Sequence, residues 1–238
     1  MSQLEDLVAA YRILAEHGVI DAYGHVSVRS DQRPDRYFLA RSLAPELVTE
    51  DDLLEYDLDS NPIDARGHES VLERFIHGEV YKARPDVISV VHNHSPSVVP
   101  FSITSVQLRP IFHMAAFIGE GVPNFEIRDI QHGTDLLVRT PDLGLALALA
   151  LGDKPAALMR GHGAVVVGES VARAVGRSVY LEASARMQAQ AIALAGPNGR
   201  ITYLDDAEVA AAVPRQDYSR AWPLWREKAL ARFSQLQP

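Results

Sequence analysis

The sequence predicts a single α/β domain followed by a C-terminal helical tail. Helix-like and strand-like hydrophobic patterns alternate along the chain, which is typical of an α/β protein. No linker-like stretch divides the 238 residues, and 47% of them are hydrophobic, so one large core can be buried. We therefore expect one domain over residues 1–210 and a helical tail over residues 211–238.

Five segments have the apolar spacing of helices. Residues 3–17 carry one apolar stripe, and Gly18 favours a helix end directly after it. The other predicted helices cover residues 69–83, 134–150, 170–195 and 217–233. Pro85 ends the second helix and Gly196 ends the fourth, whereas Pro141 is expected to break or kink the third.

Short apolar runs rich in β-branched residues predict the strands. They cover residues 26–29, 37–40, 53–58, 87–91, 157–159 and 164–167. A turn that contains Asp31 and Pro34 separates the first two strands. The fourth strand leads directly into a pair of histidines, so its carboxyl end is a candidate functional site.

Composition excludes several classes of protein and site. A net charge of −8 and a pI near 5.6 argue against a nucleic-acid binder that works through a basic surface. The absence of cysteine excludes disulfides and thiolate metal sites, which leaves imidazole and carboxylate ligands. No signal peptide is visible, and the most apolar stretch, residues 143–151, is too short to span a bilayer. We expect no nucleic-acid or membrane partner and a cytoplasmic location.

Three histidines form the candidate metal site. His92 and His94 are two residues apart at the end of a buried strand, so both imidazoles should leave on one face. His162 lies far downstream between Gly161 and Gly163, which clear space around its ring. Three imidazoles leave an open position of the kind that catalytic metal sites keep. The alternative is a polar strand end whose imidazoles hydrogen-bond to neighbours.

A glutamate on the preceding predicted helix is the candidate fourth group. Glu69, Glu73 and His77 follow one another at spacings of four residues and would share a helix face. A carboxylate near a metal serves as a further ligand or as a general base. The alternative is that Glu73 and Arg74 form a solvated pair on the helix surface.

Several motifs in combination resemble the class II aldolase/adducin family, over roughly residues 5–205. These motifs are Gly24-His25-Val26-Ser27-Val28-Arg29, Asp57-Leu58-Asp59, Glu73, Arg84-Pro85-Asp86-Val87, Val91-His92-Asn93-His94-Ser95 and Arg160-Gly161-His162-Gly163. The resemblance implies a three-layer α/β/α domain around a mainly antiparallel sheet, and a homotetramer with active sites shared between subunits. It also implies one divalent metal ion per subunit, zinc or manganese, on His92, His94 and His162, with Glu73 as base or ligand.

The chain departs from the family's sugar-phosphate aldolases where those enzymes hold phosphate. Their usual Gly-Asn, Ser-Gly and Ser-Ser motifs are replaced by Gly24-His25, Arg41-Ser42-Leu43-Ala44-Pro45 and Val71-Leu72. Valine and leucine side chains cannot donate hydrogen bonds to a phosphate, whereas an arginine can hold a planar carboxylate bidentately. Arg41 and His25 are therefore candidates for binding a carboxylated substrate, with His77 and Arg109 as weaker candidates.

A further departure concerns the proton donor. Residues 110–114 read Pro-Ile-Phe-His-Met, with His113 where the resembling aldolases have a tyrosine contributed by a neighbouring subunit. The alternative for His113 is a packed core histidine. Together with Gly24-His25 and Arg41-Ser42, this segment resembles the family's decarboxylase branch, which acts on hydroxypyridine-dicarboxylates and dihydroxyphthalates.

We expect a metal-dependent decarboxylase of a hydroxylated aromatic dicarboxylate, with Glu73 or His113 as the acid. In this chemistry the metal would stabilise negative charge on an oxygen beside the broken carbon–carbon bond. The first rival is an aldolase or epimerase of a sugar phosphate, which the lost phosphate donors disfavour. The second is a non-enzymatic adducin-like module, which the intact histidine triad disfavours.

Overall fold

The computed structural model describes residues 2–119 and 121–236. Within them a seven-stranded sheet has the strand order β3-β2-β1-β4-β7-β6-β5. All neighbouring strands are antiparallel except β5 and β6, which are parallel. The strands are β1 His25–Arg29, β2 Arg36–Ala40, β3 Leu53–Asp57, β4 Ser89–Asn93, β5 Asn124–Phe125, β6 Ala156–Met159 and β7 Gly163–Gly168. The predicted mainly antiparallel sheet is confirmed.

Helices cover both faces of this sheet. They are α1 Gln3–Glu16, α2 Arg74–Ala83, α3 Val99–Ser102, α4 Pro141–Leu151, α5 Val171–Ala195, α6 Asp206–Ala212 and α7 Ala221–Leu236. Helices α1 and α5 pack on one face together with Val91 and Val166, while α2 and α4 pack on the other with Val90 and Val165. Neighbouring residues along each central strand therefore enter different cores, as the alternation of side chains in a strand requires. This arrangement is the expected three-layer α/β/α domain.

Helix α2 begins later than the apolar spacing predicts. The prediction placed its start at Glu69, but the first helical residue is Arg74. The backbone of Glu69 accepts a hydrogen bond from the Ser42 amide at 2.8 Å, and Ser70 forms a β-bridge with Arg41. This pairing with the chain beyond β2 holds the segment extended, so Glu69 does not share a helix face with the residues that follow.

Helix α4 was also predicted too long. The prediction started it at residue 134 with a break or kink at Pro141, whereas the helix begins at Pro141 itself. Thr140 is extended, and its side chain caps the helix by accepting a hydrogen bond from the Leu143 amide. A proline suits the first helical position because its missing N–H would have no partner there, and it disfavours helical geometry in the residue before it.

The C-terminal region holds two helices where one was predicted. Helix α7 begins at Ala221 rather than at residue 217, and its Arg226 binds Asp6 of α1 at 2.6 Å. Helix α6 was missed, although Asp205 and Glu208 form a capping box at its start. The domain boundary at residue 210 stays a prediction, and residues 1, 237 and 238 of the two predicted segments lie outside the described residues. None of the described helices is long and apolar enough to cross a membrane.

Candidate metal centre and active site

Four elements converge to place the candidate ligands. Strand β4 carries His92 and ends at Asn93, two residues beyond the predicted end at residue 91, so His94 lies just after the strand. His162 lies in the turn between β6 and β7. Glu73 is the residue directly before the first turn of α2. Residues far apart in sequence therefore meet at one end of the central strands.

The two glycines beside His162 have separate structural roles. Gly161 has φ +66°, a left-handed conformation that glycine adopts without steric cost. Gly163 starts β7 so close to β4 that a Cβ atom there would collide with the Asn93 carbonyl. The glycines thus form the turn and bring two strands together, which holds His162 against His92 and His94.

The side-chain atoms of the four residues form a compact cluster. His94 Nε2 lies 3.2 Å from the Nε2 atoms of both His92 and His162. Glu73 Oε2 lies 3.5 Å from His92 Nε2 and 3.6 Å from His162 Nε2. Two ligand atoms at the usual distance from a tetrahedral zinc ion are about 3.4 Å apart. The cluster therefore has the spacing of a metal coordination shell.

Hydrogen bonds on the far side of the His94 and His162 rings determine which form of Nε2 faces the cluster. Nδ1 of His94 faces both carboxylate oxygens of Asp21 at 3.1 Å, and Nδ1 of His162 faces the Leu136 carbonyl at 2.9 Å. Each of these acceptors is met by an N–H at Nδ1, and a neutral ring with its proton there presents the lone pair of Nε2 to the cluster. Lone pairs 3.2 Å apart repel one another unless a cation lies between them. The donor set therefore fits a divalent metal ion.

Burial favours the neutral form of His92 and His162. It lowers the pKa of His92 well below the ordinary histidine value, and the neighbouring histidines lower it further. Burial, followed by the electrostatic effect of the His94 ring, lowers the pKa of His162 to about 4, against the opposing effect of the Leu136 carbonyl. A neutral imidazole is the form that binds a metal, so these rings are ready as ligands near neutral pH.

Asp21 contacts the candidate site through His94, and the sequence did not predict this residue. Its carboxylate orients His94, and it also accepts hydrogen bonds from the amides of Tyr23 and Gly24. The sequence separation of 73 residues between Asp21 and His94 hides this contact from any local pattern. By contrast, Nδ1 of His92 has no hydrogen-bond partner among the described residues, so its orientation rests on the pairing of β4 with its neighbours.

Asp21→Asn is expected to lower the affinity for the metal about tenfold to hundredfold, the usual cost of losing an outer carboxylate partner. Asparagine can still accept from the Tyr23 and Gly24 amides, so the turn should persist. Titration of the metal-free protein with zinc measures the effect. Asp153→Asn, at a side chain that is 91% exposed, is the matched control. Equal affinities in the two variants would contradict the role of Asp21.

Glu73 is held by a loop that was predicted to be helical. The side chain of Glu73 is buried, which contradicts the alternative of a solvated pair with Arg74. The Val138 amide donates to Oε1 at 2.8 Å, which leaves Oε2 for the cluster. Burial raises the pKa of Glu73 above its ordinary value, although the Val138 amide opposes the shift. A carboxyl group tuned in this direction suits proton transfer near neutral pH.

The same loop contains a strained residue. Leu136 has φ +73°, a left-handed conformation that costs a residue with a side chain roughly 1–2 kcal/mol. Its carbonyl is the acceptor for His162 Nδ1. The strained backbone thus directs one carbonyl at a candidate ligand, two residues before the amide that holds Glu73.

His25 and His77 lie beside the cluster, but in different positions. His25 pairs with His92 across β1 and β4, and the two ring centroids are 5.0 Å apart. His25 is 4% exposed, and burial lowers its pKa to about 3. His77 is fully enclosed, with Nδ1 against Ser27 and Nε2 against His25. His25 therefore keeps a small exposed surface beside the cluster, whereas His77 has none.

The other predicted site residues lie outside the cluster. The Nε–H of Arg41 donates to Asp52 at 2.8 Å. The guanidinium of Arg109 stacks on the Tyr203 ring at 4.2 Å. His113 is exposed, which contradicts the alternative of a packed core histidine. A single chain thus brings together the three candidate metal ligands, Glu73 and His25, and not Arg41, Arg109 or His113.

Fold and site together define a lyase-type domain with a buried glutamate beside three converging histidines. Residues 5–189 match the model of the class II aldolase and adducin N-terminal domain. The chain belongs to this family.

Similar proteins narrow the class of enzyme. Decarboxylase tropJ from Talaromyces stipitatus is 37% identical over 92% of this chain and 90% of its own length. A 3,4-dihydroxyphthalate decarboxylase from Arthrobacter keyseri is 29% identical over 97% of this chain and 93% of its own. The structure of L-fuculose 1-phosphate aldolase from Glaciozyma antarctica superposes with a TM-score of 0.75 at 24% identity, covering 99% of this chain and 89% of that chain. The chain is an enzyme, a carboxy-lyase built on the class II aldolase fold.

Proposed function

We propose that this enzyme decarboxylates a hydroxylated aromatic dicarboxylate, such as a dihydroxyphthalate or a hydroxypyridine-dicarboxylate. We propose that it uses one divalent metal ion per subunit, zinc or manganese, held by His92, His94 and His162. The donor set of imidazoles and a carboxylate supports this choice of ions. The similarity to a 3,4-dihydroxyphthalate decarboxylase supports the substrate class.

The observation that carries the substrate class is the apolar pair directly before Glu73. Leu72 is 58% exposed and Val71 is half-buried, so both are accessible beside a residue of the cluster. Neither side chain can make the charge-assisted hydrogen bonds that hold a phosphate. An apolar surface suits the face of an aromatic ring instead.

Decarboxylation breaks the bond between a ring carbon and a carboxyl carbon. The electrons of this bond lie in the ring plane and cannot pass directly to the ring hydroxyl oxygen, so a proton must first reach the ring carbon while the hydroxyl loses its own proton and becomes a ketone. The carbon–carbon bond then breaks, carbon dioxide leaves, and the bonding electrons restore the aromatic ring and pass to this oxygen. A divalent metal at the cluster would supply the positive charge that stabilises this oxygen. Glu73 can deliver the proton from Oε2, because Oε1 is occupied by the Val138 amide; His113 is the alternative donor.

Arg41 is proposed to bind a substrate carboxylate. Asp52 holds its Nε–H and fixes the guanidinium plane, while the terminal amino groups carry the remaining four N–H donors. The bridge to Ser70 ties Arg41 to the segment that leads into Glu73. Two parallel donors from one guanidinium match the two oxygens of a carboxylate.

Arg41→Ala should raise the KM for the aromatic acid about tenfold to hundredfold, the usual cost of one charged contact. Metal content should stay normal. Arg33→Ala is the matched control, because Arg33 also pairs with a carboxylate, that of Glu55. A KM that is the same in both variants would remove Arg41 from the substrate site.

His113 is proposed to reach the cluster of a neighbouring subunit in a homotetramer. It is exposed at the start of a short 3-10 helix, His113–Ile118, and Gln216 fixes its backbone by donating to the His113 carbonyl at 2.6 Å. An exposed imidazole on an anchored backbone can serve a site outside its own chain.

Mixing His113→Ala subunits with His92→Ala subunits should restore part of the activity that each variant alone lacks. Restoration follows because a mixed oligomer contains some sites with both an intact ligand set and an intact donor. The mixture is refolded or exchanged together and assayed against each homogeneous variant. An active monomer in sedimentation, or no recovery in confirmed mixed oligomers, would contradict shared sites.

The proposed reaction is tested by a paired assay of the metal-loaded enzyme. Carbon dioxide release is measured with dihydroxyphthalates, and aldehyde release is measured with ketose phosphates. We expect turnover only with the aromatic acids. Efficient cleavage of a ketose phosphate, with no carbon dioxide from any ortho-hydroxy aromatic dicarboxylate, would establish the aldolase alternative.

A further inference from the structure

A chain of buried hydrogen bonds runs from the core to the candidate metal centre. The Tyr81 hydroxyl lies 2.7 Å from Ser27 Oγ, which lies 2.6 Å from His77 Nδ1. His77 Nε2 then lies 2.6 Å from His25 Nδ1. Tyr81, Ser27 and His77 are all at most 1% exposed. None of them can exchange its partner for water, so each bond constrains the next.

The fold explains why these four groups are aligned. His25 and Ser27 are two residues apart on β1 and face the layer that contains α2. His77 and Tyr81 are four residues apart on α2 and face the sheet from above. The strand and the helix therefore interleave their polar side chains within an otherwise apolar core.

In such a series of hydrogen bonds, every donor points the same way along the series at any one time. A neutral imidazole donates from one nitrogen and accepts at the other, so a proton on His77 Nε2 requires a lone pair on Nδ1. In one direction, Tyr81 donates to Ser27, Ser27 donates to His77 and His77 donates to His25. Nδ1 of His25 is then an acceptor, so His25 carries its proton on Nε2. The opposite direction must end with Tyr81 donating to the Ile88 carbonyl, which is 3.4 Å away. Such a long bond is weak.

The hydrogen-bond series ends at His25, beside the candidate metal centre. His25 pairs with His92 across the two strands, so both side chains leave the same face of the sheet. His77 occupies Nδ1 of His25, and no contact to Nε2 is found among the described residues. His25 keeps 4% of its surface exposed. Nε2 is therefore the one polar atom of this ring that a ligand can meet.

We propose that His77 and Ser27 are positioning residues that hold His25 as a hydrogen-bond donor, through Nε2–H, to an anionic oxygen of the substrate. The inference rests on the proposed function, since it assumes a substrate with a carboxylate or phenolate oxygen beside the metal. The specificity of His25 for an anionic oxygen would then come from its fixed tautomer, with the proton on Nε2. An anionic oxygen can only accept a hydrogen bond, so the enforced donor selects for it.

The direction of the chain is measured on the wild-type protein. Long-range proton–nitrogen correlation spectra of the zinc-loaded, nitrogen-15 histidine-labelled enzyme distinguish a protonated from an unprotonated ring nitrogen. The His25 signals are assigned by their loss in His25→Asn. We expect the proton on Nε2. A proton on Nδ1 would overturn the proposal, and this result does not depend on which reaction the enzyme catalyses.

Two variants test the effect on the substrate. His77→Phe keeps a ring in the core but removes both nitrogens, and Ser27→Ala removes only the hydroxyl. We expect each to raise the KM for the aromatic acid about tenfold, with normal metal content and a much smaller change in kcat. A merely structural loss would lower the active fraction and hence kcat, and would leave KM unchanged.

Two controls remove equally buried hydroxyls outside the chain. Tyr37→Phe lies next to the His77 ring, where its hydroxyl bonds to Ser60, and Ser178→Ala lies in α5 on the other face of the sheet. Both should keep the wild-type KM. The proposal is wrong if Ser27→Ala and its control Ser178→Ala have the same KM. A wild-type enzyme that is inactive on aromatic acids would instead count against the proposed function, with the tautomer still measurable.

Discussion

His162→Ala is expected to lose its bound metal ion and to lower decarboxylase activity by orders of magnitude. A site of three imidazoles has no spare ligand, so removing one opens the coordination shell. Metal per subunit is measured by elemental analysis after gel filtration in metal-free buffer. The control is His68→Ala, at an exposed histidine outside the cluster. Full metal occupancy in His162→Ala would show that the ion, if present, is held elsewhere.

Glu73→Gln is expected to keep the fold and to lose about 10²–10⁴-fold in turnover, the typical size of a general acid–base contribution. The amide oxygen of glutamine can still accept from the Val138 amide, so the loop should stay in place. The substitution removes the charge and the capacity to carry a proton. Turnover is measured at saturating metal and substrate.

The matched control is Glu79→Gln. Glu79 is a carboxylate of α2 that is 6% exposed, about as buried as Glu73 at 7%, but it pairs with Lys82 rather than with the cluster. Glu79→Gln measures the effect of losing a buried charge on this helix, whereas Glu73→Gln also removes the proposed proton donor. Near-normal turnover in Glu73→Gln would confine Glu73 to a structural role.

Local patterns predicted the central strands closely, because their burial depends on short apolar runs. Strands β1, β2 and β7 each begin one residue before the predicted start. The start of α2 could not be predicted in the same way, because the pairing of Glu69 and Ser70 with Arg41 and Ser42 is a long-range contact. Apolar spacing is local information, and it does not report which segment a distant strand will pair with.

The cluster of three histidines was predictable, but the groups that orient two of them were not. His92 and His94 are two residues apart at the end of an apolar run, and this spacing predicts that both side chains leave on one face. Asp21 and the Leu136 carbonyl act through contacts that only the folded chain creates. A carbonyl has no residue-type signal at all. Thr140 followed by Pro141 was the one available sign that residues 134–140 form a loop rather than a helix.

Metal-dependent decarboxylation is tested most directly by measuring carbon dioxide release from 3,4-dihydroxyphthalate before and after removal of the metal. The purified enzyme is assayed as prepared, after dialysis against a chelator, and after addition of zinc or manganese. We expect release by the metal-loaded enzyme, loss of release with the chelator, and recovery when one ion per subunit is restored. Undiminished release from enzyme shown to contain no metal would contradict metal-dependent decarboxylation.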